Sequence, residues 1–370
     1  MASIAEAMGV PKNLYQPLDY LPSSGLEKSD TIILLMIDGL GYEFLKTHAT
    51  NSFIFSQTKS SLTSVFPSTT ASAVTSFATG QAPAQHAVTG WFMLFEKLKE
   101  VMAVLPVKPR NNVQLNLTLE ELKVQLDLPK NLMEQGTRTN YTLYPQYIVD
   151  SLYSQLINSN STRIGYKGLE EFFAKLETLA QNNTGKQYIY AYWPDFDALT
   201  HELGAAHSDV LALFSQLDNA FKKFTEKMQD RNCKILLTAD HGLIDIEAGN
   251  TIWLNEYPEI MDCLLYPLCG EPRAAYCYIK PGMHQTFEAM VSSQLGQKLV
   301  CVESKSLVEQ GYFGKLPASS QFQSRIGDYV LIPKGNFAIK DKLDSEDYYV
   351  QKAVHGGLSS MEMRIPLVVI

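Results

Sequence analysis

The chain has 370 residues, with 31 Lys and Arg against 39 Asp and Glu and a formal net charge of −8. That balance argues against a nucleic-acid polymer or an anionic membrane as the main partner. It leaves room for a small phosphorylated ligand wherever a bound cation reverses the local sign. No run reaches the roughly 18 apolar residues of a membrane span. The N-terminus, MASIAEAMGVPKNLYQ, lacks a basic region followed by an apolar core, so a soluble and by default cytoplasmic protein is expected, with non-Sec secretion left open. The five cysteines (Cys233, Cys263, Cys269, Cys277, Cys301) form no ligand-like pair and are read as mostly reduced, with a Cys263–Cys269 bridge left open.

In chain order, TIILLMIDG (31–39) is a continuous apolar run closing on Asp-Gly, the pattern of a strand buried on both faces. SSLTSVFP (60–67) predicts a second strand, leading into a helix that opens at Thr69 or Thr70. QYIYAYWPD (187–195) and CKILLTADHG (233–242) predict two more strands. Between them Val210, Leu213, Phe214, Leu217, Phe221, Phe224 and Met228 recur three or four apart, on one helical face. Strands alternating with helices imply an α/β fold with a doubly wound, mostly parallel central sheet and helices on both faces. Two stretches break the rhythm, about 92–160 and about 250–350. With no linker-like composition around them, they are read as cap insertions in a single domain of residues 1–370.

Each predicted strand is followed by a group capable of chemistry: Asp38, then Thr69-Thr70, then Asp195, Asp197 and His201, then Asp240-His241. Open α/β sheets bind ligands outside the carboxyl ends of their strands. Taken singly, these residues have plainer readings: a turn aspartate, an N-cap threonine, a helical Asp-His pair four apart, and for His355 a turn histidine. Taken together they are a carboxylate and imidazole set suited to divalent transition metals, zinc being the usual case. Clustered carboxylates without cations are electrostatically costly, and bound metal resolves the cost. A hydroxyl at a helix start adds a candidate nucleophile beside backbone N–H groups able to receive a phosphate.

These motifs resemble the alkaline phosphatase superfamily, and within it the type I phosphodiesterase/nucleotide pyrophosphatase family. Asp38-Gly39, FPSTTASAVTSFATG (66–80), DALTHELG (197–204), ADHG (239–242) and VHGG (354–357) occur in the order that family shows. The resemblance implies a dinuclear site with two divalent ions, zinc by expectation. Asp38, Thr70, Asp240 and His241 would hold one ion, and Asp197, His201 and His355 the other. Thr70 would attack phosphorus and form a covalent intermediate that water then hydrolyses. The family spacing selects Thr70 over Thr69, because Thr70 lies ten residues before Gly80, and Asp197 over Asp195, because Asp197 precedes His201 by four.

One departure concerns substrate. Where nucleotide-cleaving members carry an Asn that helps hold the phosphoryl oxygen, this chain has Trp91, with Thr89 and Gly90 before it. Trp91 and Thr89 are therefore candidate substrate contacts. Residues 60–96 contain no Lys or Arg, which leans towards a diester or pyrophosphate over a doubly charged monoester. Phosphomonoester, phosphonate or sulfate ester hydrolysis by the same metals is the alternative. A catalytically dead metal-binding interaction module is the reading from a different class.

Overall fold

The computed structural model describes residues 1–11, 14–182 and 185–370. A central seven-stranded sheet is built from β1 (Thr31–Ile37), β2 (Thr58–Thr63), β3 (Thr139–Pro145), β4 (Thr162–Tyr166), β5 (Gln187–Trp193), β6 (Cys233–Thr238) and β7 (Arg364–Val369), in the order β2-β7-β6-β1-β5-β3-β4. β1 pairs in parallel with both β5 and β6, and β3 pairs in parallel with β4 and β5. β7 runs antiparallel to β2 and β6. The apolar run at 31–39 thus takes the centre of the sheet. Ile32, Leu34 and Met36 enter the core on one face, and Ile33, Leu35 and Ile37 the core on the other, as the two-residue period of a strand requires.

Helices cover both faces. α1 (Thr70–Thr79) buries Ala71, Val74 and Ala78 against the first face. α2 (Gly168–Gln181), α3 (Asp195–Leu203) and α4 (Ser208–Met228) pack on the second, where α4 buries Val210, Phe214, Leu217, Phe221, Phe224 and Met228. The doubly wound architecture is as the sequence predicts. The strand expected at 60–67 is β2, a half-exposed strand at the sheet edge that ends at Thr63.

A second sheet, antiparallel throughout, joins the two irregular regions. Its strands run in the order Leu299–Glu303, Tyr329–Pro333, Ala274–Cys277, Cys269–Glu271, Phe92–Phe95, Glu100–Ala103 and Lys108–Pro109. The first insertion is therefore shorter than 92–160. Its opening residues belong to this second sheet, whereas β3 at Thr139–Pro145 pairs with β5 of the central sheet. Cys263 and Cys269 are both free thiols, as are the other three cysteines. Among the described residues no helix is long and apolar enough to cross a membrane.

A buried ion pair ties the two sheets. Arg273, in the turn between Cys269–Glu271 and Ala274–Cys277, meets Glu362, just before β7, through Nε–Oε1 at 3.2 Å and Nη2–Oε2 at 3.1 Å. Their side chains are 3% and 0% exposed. Glu362 also accepts the Gly357 N–H at 2.8 Å and the Ser359 hydroxyl at 2.6 Å, which fixes the loop after His355. Removing one partner of such a pair leaves a buried charge unmatched. Glu362→Gln is expected to lower the unfolding free energy by about 3–5 kcal/mol, read from urea unfolding. A loss below about 1 kcal/mol, the scale of a surface pair, would contradict this role.

Candidate functional site

Three adjacent strands of the central sheet, in the order β6-β1-β5, deliver acidic groups to one edge. Asp38 follows β1 directly, Asp240 and His241 follow β6, and Asp197 and His201 lie on α3 just after β5. His355 arrives from the far end of the chain. The short strand Ala353–Val354 pairs with Ile244–Asp245, immediately beyond His241, and so sets His355 opposite α3. Gly39 permits this crowding: its φ is +72°, and a Cβ there would lie 2.9 Å from the Asp197 side chain and 2.6 Å from Leu243.

Two groups result, Asp38 with Asp240 and His241, and Asp197 with His201 and His355. Within each, the potential ligand atoms all lie within 4.8 Å of one another. The seven residues that the resemblance singles out, Thr70 included, come together here. Thr70, the first residue of α1, places Oγ1 3.1 Å from His241 Nε2 and 3.4 Å from Asp38 Oδ1. The His241 and His355 rings stack with centroids 3.7 Å apart, which brings the two groups side by side.

The electrostatics of the cluster call for a cation. Burial, then Asp240 and Asp197, push the Asp38 carboxyl well above its usual range, although Tyr192 donates to its Oδ2. Burial also works to raise Asp197, but the His201 imidazole, with Nε2 3.2 Å from its Oδ2, holds it well below the usual carboxylate range. Burial and then the neighbouring His241 push His355 well below an ordinary imidazole. Asp197 Oδ1 and Asp240 Oδ2 are buried with no hydrogen-bond partner.

The imidazoles are oriented to match. Nδ1 lies 2.6 Å from the Ala353 carbonyl in His201, 3.0 Å from the Gly242 carbonyl in His241, and 3.0 Å from the Ser68 carbonyl in His355. A carbonyl only accepts, so each Nδ1 carries the hydrogen and each Nε2 is the nitrogen left to present a lone pair when its ring is neutral. Without a cation, burial of the His201 imidazole is outweighed by Asp197, which raises it and favours a proton on its Nε2. Three oriented Nε2 atoms and two unpartnered carboxylate oxygens fit a divalent transition metal, with the backbone carbonyls fixing the rings from behind.

The hydroxyl-rich start of α1 is held by tertiary bonds. Thr69 occupies the N-cap position, but no side chain caps the helix. Its hydroxyl instead donates to Glu271 Oε1 at 2.5 Å, and the Ser68 hydroxyl donates to the Gly357 carbonyl at 2.9 Å. The N-cap role read for a threonine at this helix start is thus replaced by cross-links to the second sheet and to the His355 loop. Thr75 and Thr79 bond back to helix carbonyls, and Ser76 meets His86.

A cavity of about 700 Å³ opens over these residues. Thr70, Asp197, His201 and His355 line it from the central sheet, and Trp91, Glu271 and Lys340 are among those lining it from the opposite side. Trp91 is 38% exposed. Thr89 does not line the cavity: it is fully buried, and its hydroxyl is used on the Arg325 carbonyl at 2.8 Å, which removes it as a substrate contact. Asp195 is exposed at the start of α3 and joins neither acidic group. Arg110 lines the cavity but is paired with Asp341 at 2.7 Å and Glu346 at 2.9 Å. Glu271 was not legible as a site residue. It sits in Cys-Gly-Glu-Pro-Arg, which reads as a solvated hairpin tip, yet it is buried and its Oε1 also accepts the Trp91 N–H at 2.6 Å.

The model of the type I phosphodiesterase / nucleotide pyrophosphatase family matches residues 32–358. The chain belongs to that family, whose members hydrolyse phosphoester bonds. No curated protein sequence matches it. Among solved structures, murine ectonucleotide pyrophosphatase / phosphodiesterase 5 superposes with a TM-score of 0.68 at 14% identity, over 91% of this chain and 87% of that one. An inactive form of the same murine protein in complex with AMP gives 0.64 at 15%, over 91% and 87%. Phosphonoacetate hydrolase from Sinorhizobium meliloti 1021, in complex with phosphonoformate, gives 0.64 at 16%, over 92% and 90%. At these identities the likeness to the solved structures is one of fold, and it agrees with the central sheet described above.

Burial raises the Glu271 carboxyl to about 7. A carboxyl raised on folding binds its proton more tightly in the folded state. Its contribution is complete below the unfolded value near 4.5 and is lost as pH climbs through 7. Across that window the metal-free protein should lose about 3 kcal/mol of stability through this group. Glu271→Gln, which keeps an oxygen for Thr69 and Trp91, should lose that part of the pH dependence. Parallel stability curves for the two proteins between pH 5 and 8 would contradict the burial of an ionisable group here.

Proposed function

We propose that the chain is a phosphodiesterase or nucleotide pyrophosphatase in which Thr70 is the nucleophile and two zinc ions complete the site. The observation that carries this reading is the position of Thr70 Oγ1. It lies at the N-terminus of a ten-residue helix, within 3.4 Å of Asp38 and 3.1 Å of His241, and it lines the cavity. Asp38, Thr70, Asp240 and His241 would hold one ion, and Asp197, His201 and His355 the other. Zinc bound there would supply Lewis acidity and positive charge against the oxygens of the reacting phosphoryl group.

The protein's own part is positioning. Asp38 Oδ1 directs the Thr70 hydroxyl hydrogen inwards and leaves an Oγ1 lone pair for the cavity. In the first displacement the Oγ1–phosphorus bond forms as the Thr70 hydrogen passes to Asp38 Oδ1 and on to the leaving oxygen, while the phosphorus–oxygen bond to the leaving group breaks and its electron pair leaves with that oxygen. In the second, water attacks phosphorus, the phosphorus–Oγ1 bond breaks with its electron pair on Oγ1, and a proton from that water returns Thr70 to its hydroxyl form. The first turn of α1 offers backbone N–H groups to the phosphoryl oxygens in place of the family's Asn. The second sheet acts as a cap that selects the leaving group, and Trp91 presents an aromatic surface to it. A small phosphorylated substrate fits the cavity volume and agrees with the AMP bound to the murine relative. The absence of Lys and Arg from residues 60–96 favours a diester or pyrophosphate.

Thr70→Ala tests the assignment. With zinc supplied, the wild-type protein is expected to hydrolyse bis-p-nitrophenyl phosphate. The variant should lose at least about a thousandfold in kcat while keeping its zinc, since Asp38, Asp240 and His241 remain. A variant that retains most of the wild-type rate would refute Thr70 as nucleophile. A wild-type protein that binds zinc but leaves phosphodiesters and phosphomonoesters intact would support a binding module instead.

A further inference from the structure

Lys340 lines the cavity, and its ammonium is satisfied only by neutral oxygens. Nζ donates to Gln351 Oε1 at 2.7 Å and to the Tyr349 carbonyl at 3.1 Å, and it lies 5.4 Å from the centre of the Tyr349 ring. Among the described residues no carboxylate comes within 4.0 Å of it, in contrast to Arg110, which is matched by both Asp341 and Glu346. An ammonium has three hydrogens, so one donor is left over.

Gln351 packs between this lysine and the acidic cluster. Its oxygen receives Lys340, and its amide nitrogen lies 3.0 Å from His201 Nδ1 as a neighbour only, because the Nδ1 hydrogen goes to the Ala353 carbonyl. Nδ1 is the side of the His201 ring turned away from Asp197, which faces Nε2. Lys340 therefore stands on the outward side of His201, in the same cavity that Thr70 lines.

We infer that Lys340 is an anion-binding site for a second acidic group, a carboxylate or a phosphoryl group, carried by the substrate outside the reacting phosphoryl centre. The inference rests on the phosphoryl-transfer reading of the Thr70 site and adds a substrate class to it, substrates with two acidic groups. Burial, and then Arg110, pull the Lys340 ammonium down to about 8. Glu271 and Glu346 act on its charge from a distance, but a cation held partly out of water and in no direct ion pair gains more from an arriving anion than one already paired or fully hydrated.

The test is titration calorimetry on the zinc-supplemented full chain with three non-hydrolysable probes: propylphosphonate, 3-phosphonopropionate and 1,3-propanediphosphonate. A probe carrying the second acid should bind at least about tenfold tighter than propylphosphonate, the scale of one charge-assisted hydrogen bond. A preference for 3-phosphonopropionate identifies a carboxylate substrate, a preference for the diphosphonate identifies a second phosphoryl group, and tighter binding of both shows that Lys340 reads charge alone. Lys340→Met should bring the affinity ratio to within about twofold of unity, and Lys340→Arg should keep part of it. Equal binding of all three probes by the wild-type protein overturns the inference, as does a preference that survives in Lys340→Met. Failure of any probe to bind also overturns it. Hydrolysis of bis-p-nitrophenyl phosphate by the same wild-type sample reports separately on the phosphoryl-transfer reading.

Discussion

The organising constraint is mutual repulsion among three carboxylates that the fold brings to neighbouring positions. Asp38, Asp197 and Asp240 follow strands that lie side by side in the sheet, and Asp38 and Asp240 are almost wholly buried. Hydrogen bonds offset part of the cost: Tyr192 donates to Asp38, and the Gly39 and His241 N–H groups each donate to Asp240 Oδ1 at 3.0 Å. The remainder, seen in the raised Asp38 and in two orphaned oxygens, is what a divalent cation would relieve. The three histidines are turned by backbone carbonyls at Nδ1, which leaves their Nε2 atoms on the side away from those carbonyls.

The second sheet is coupled to this centre by side chains. Thr69, next to Thr70, bonds Glu271, and the same oxygen of Glu271 takes the Trp91 N–H. Arg273, two residues on, pairs with Glu362, which holds the loop behind His355. Gly356 has φ +113° and would place a Cβ 2.4 Å from that of Glu271, so the His355 loop and the second sheet are in direct contact. The start of α1, the His355 loop and the cap therefore form one connected unit. A change in the second sheet can then move Thr70 and His355 as well as alter the shape of the cavity.

Much of this was legible in the sequence because its strongest signals are local. β1, β5 and β6 are apolar runs, and the polar residues after them fall at the sheet edge by topology alone. β3 was missed because Asn140 and Thr142 interrupt it. Both are buried, and the Asn140 amide N–H groups and the Thr142 hydroxyl are taken up by bonds to Met133, Asn160 and Ser161 that local pattern does not carry. β7 carries Pro366, which argues against an interior strand, yet it lies between β2 and β6. Glu271, Arg273 and Lys340 matter through partners 89 to 202 residues away or, for Lys340, through Gln351 eleven residues on. The Ser359–Glu362 capping box was present in the sequence as a helix-start signature. That Glu362 also receives Arg273 was not.

The most direct test of the metal-centred account is anomalous diffraction at the zinc absorption edge from crystals grown with zinc. The account predicts two peaks, one enclosed by Asp38, Asp240 and His241 and the other by Asp197, His201 and His355. No peak at either group, with zinc bound elsewhere or not at all, would mean that the buried carboxylates are balanced by protons and not by metal.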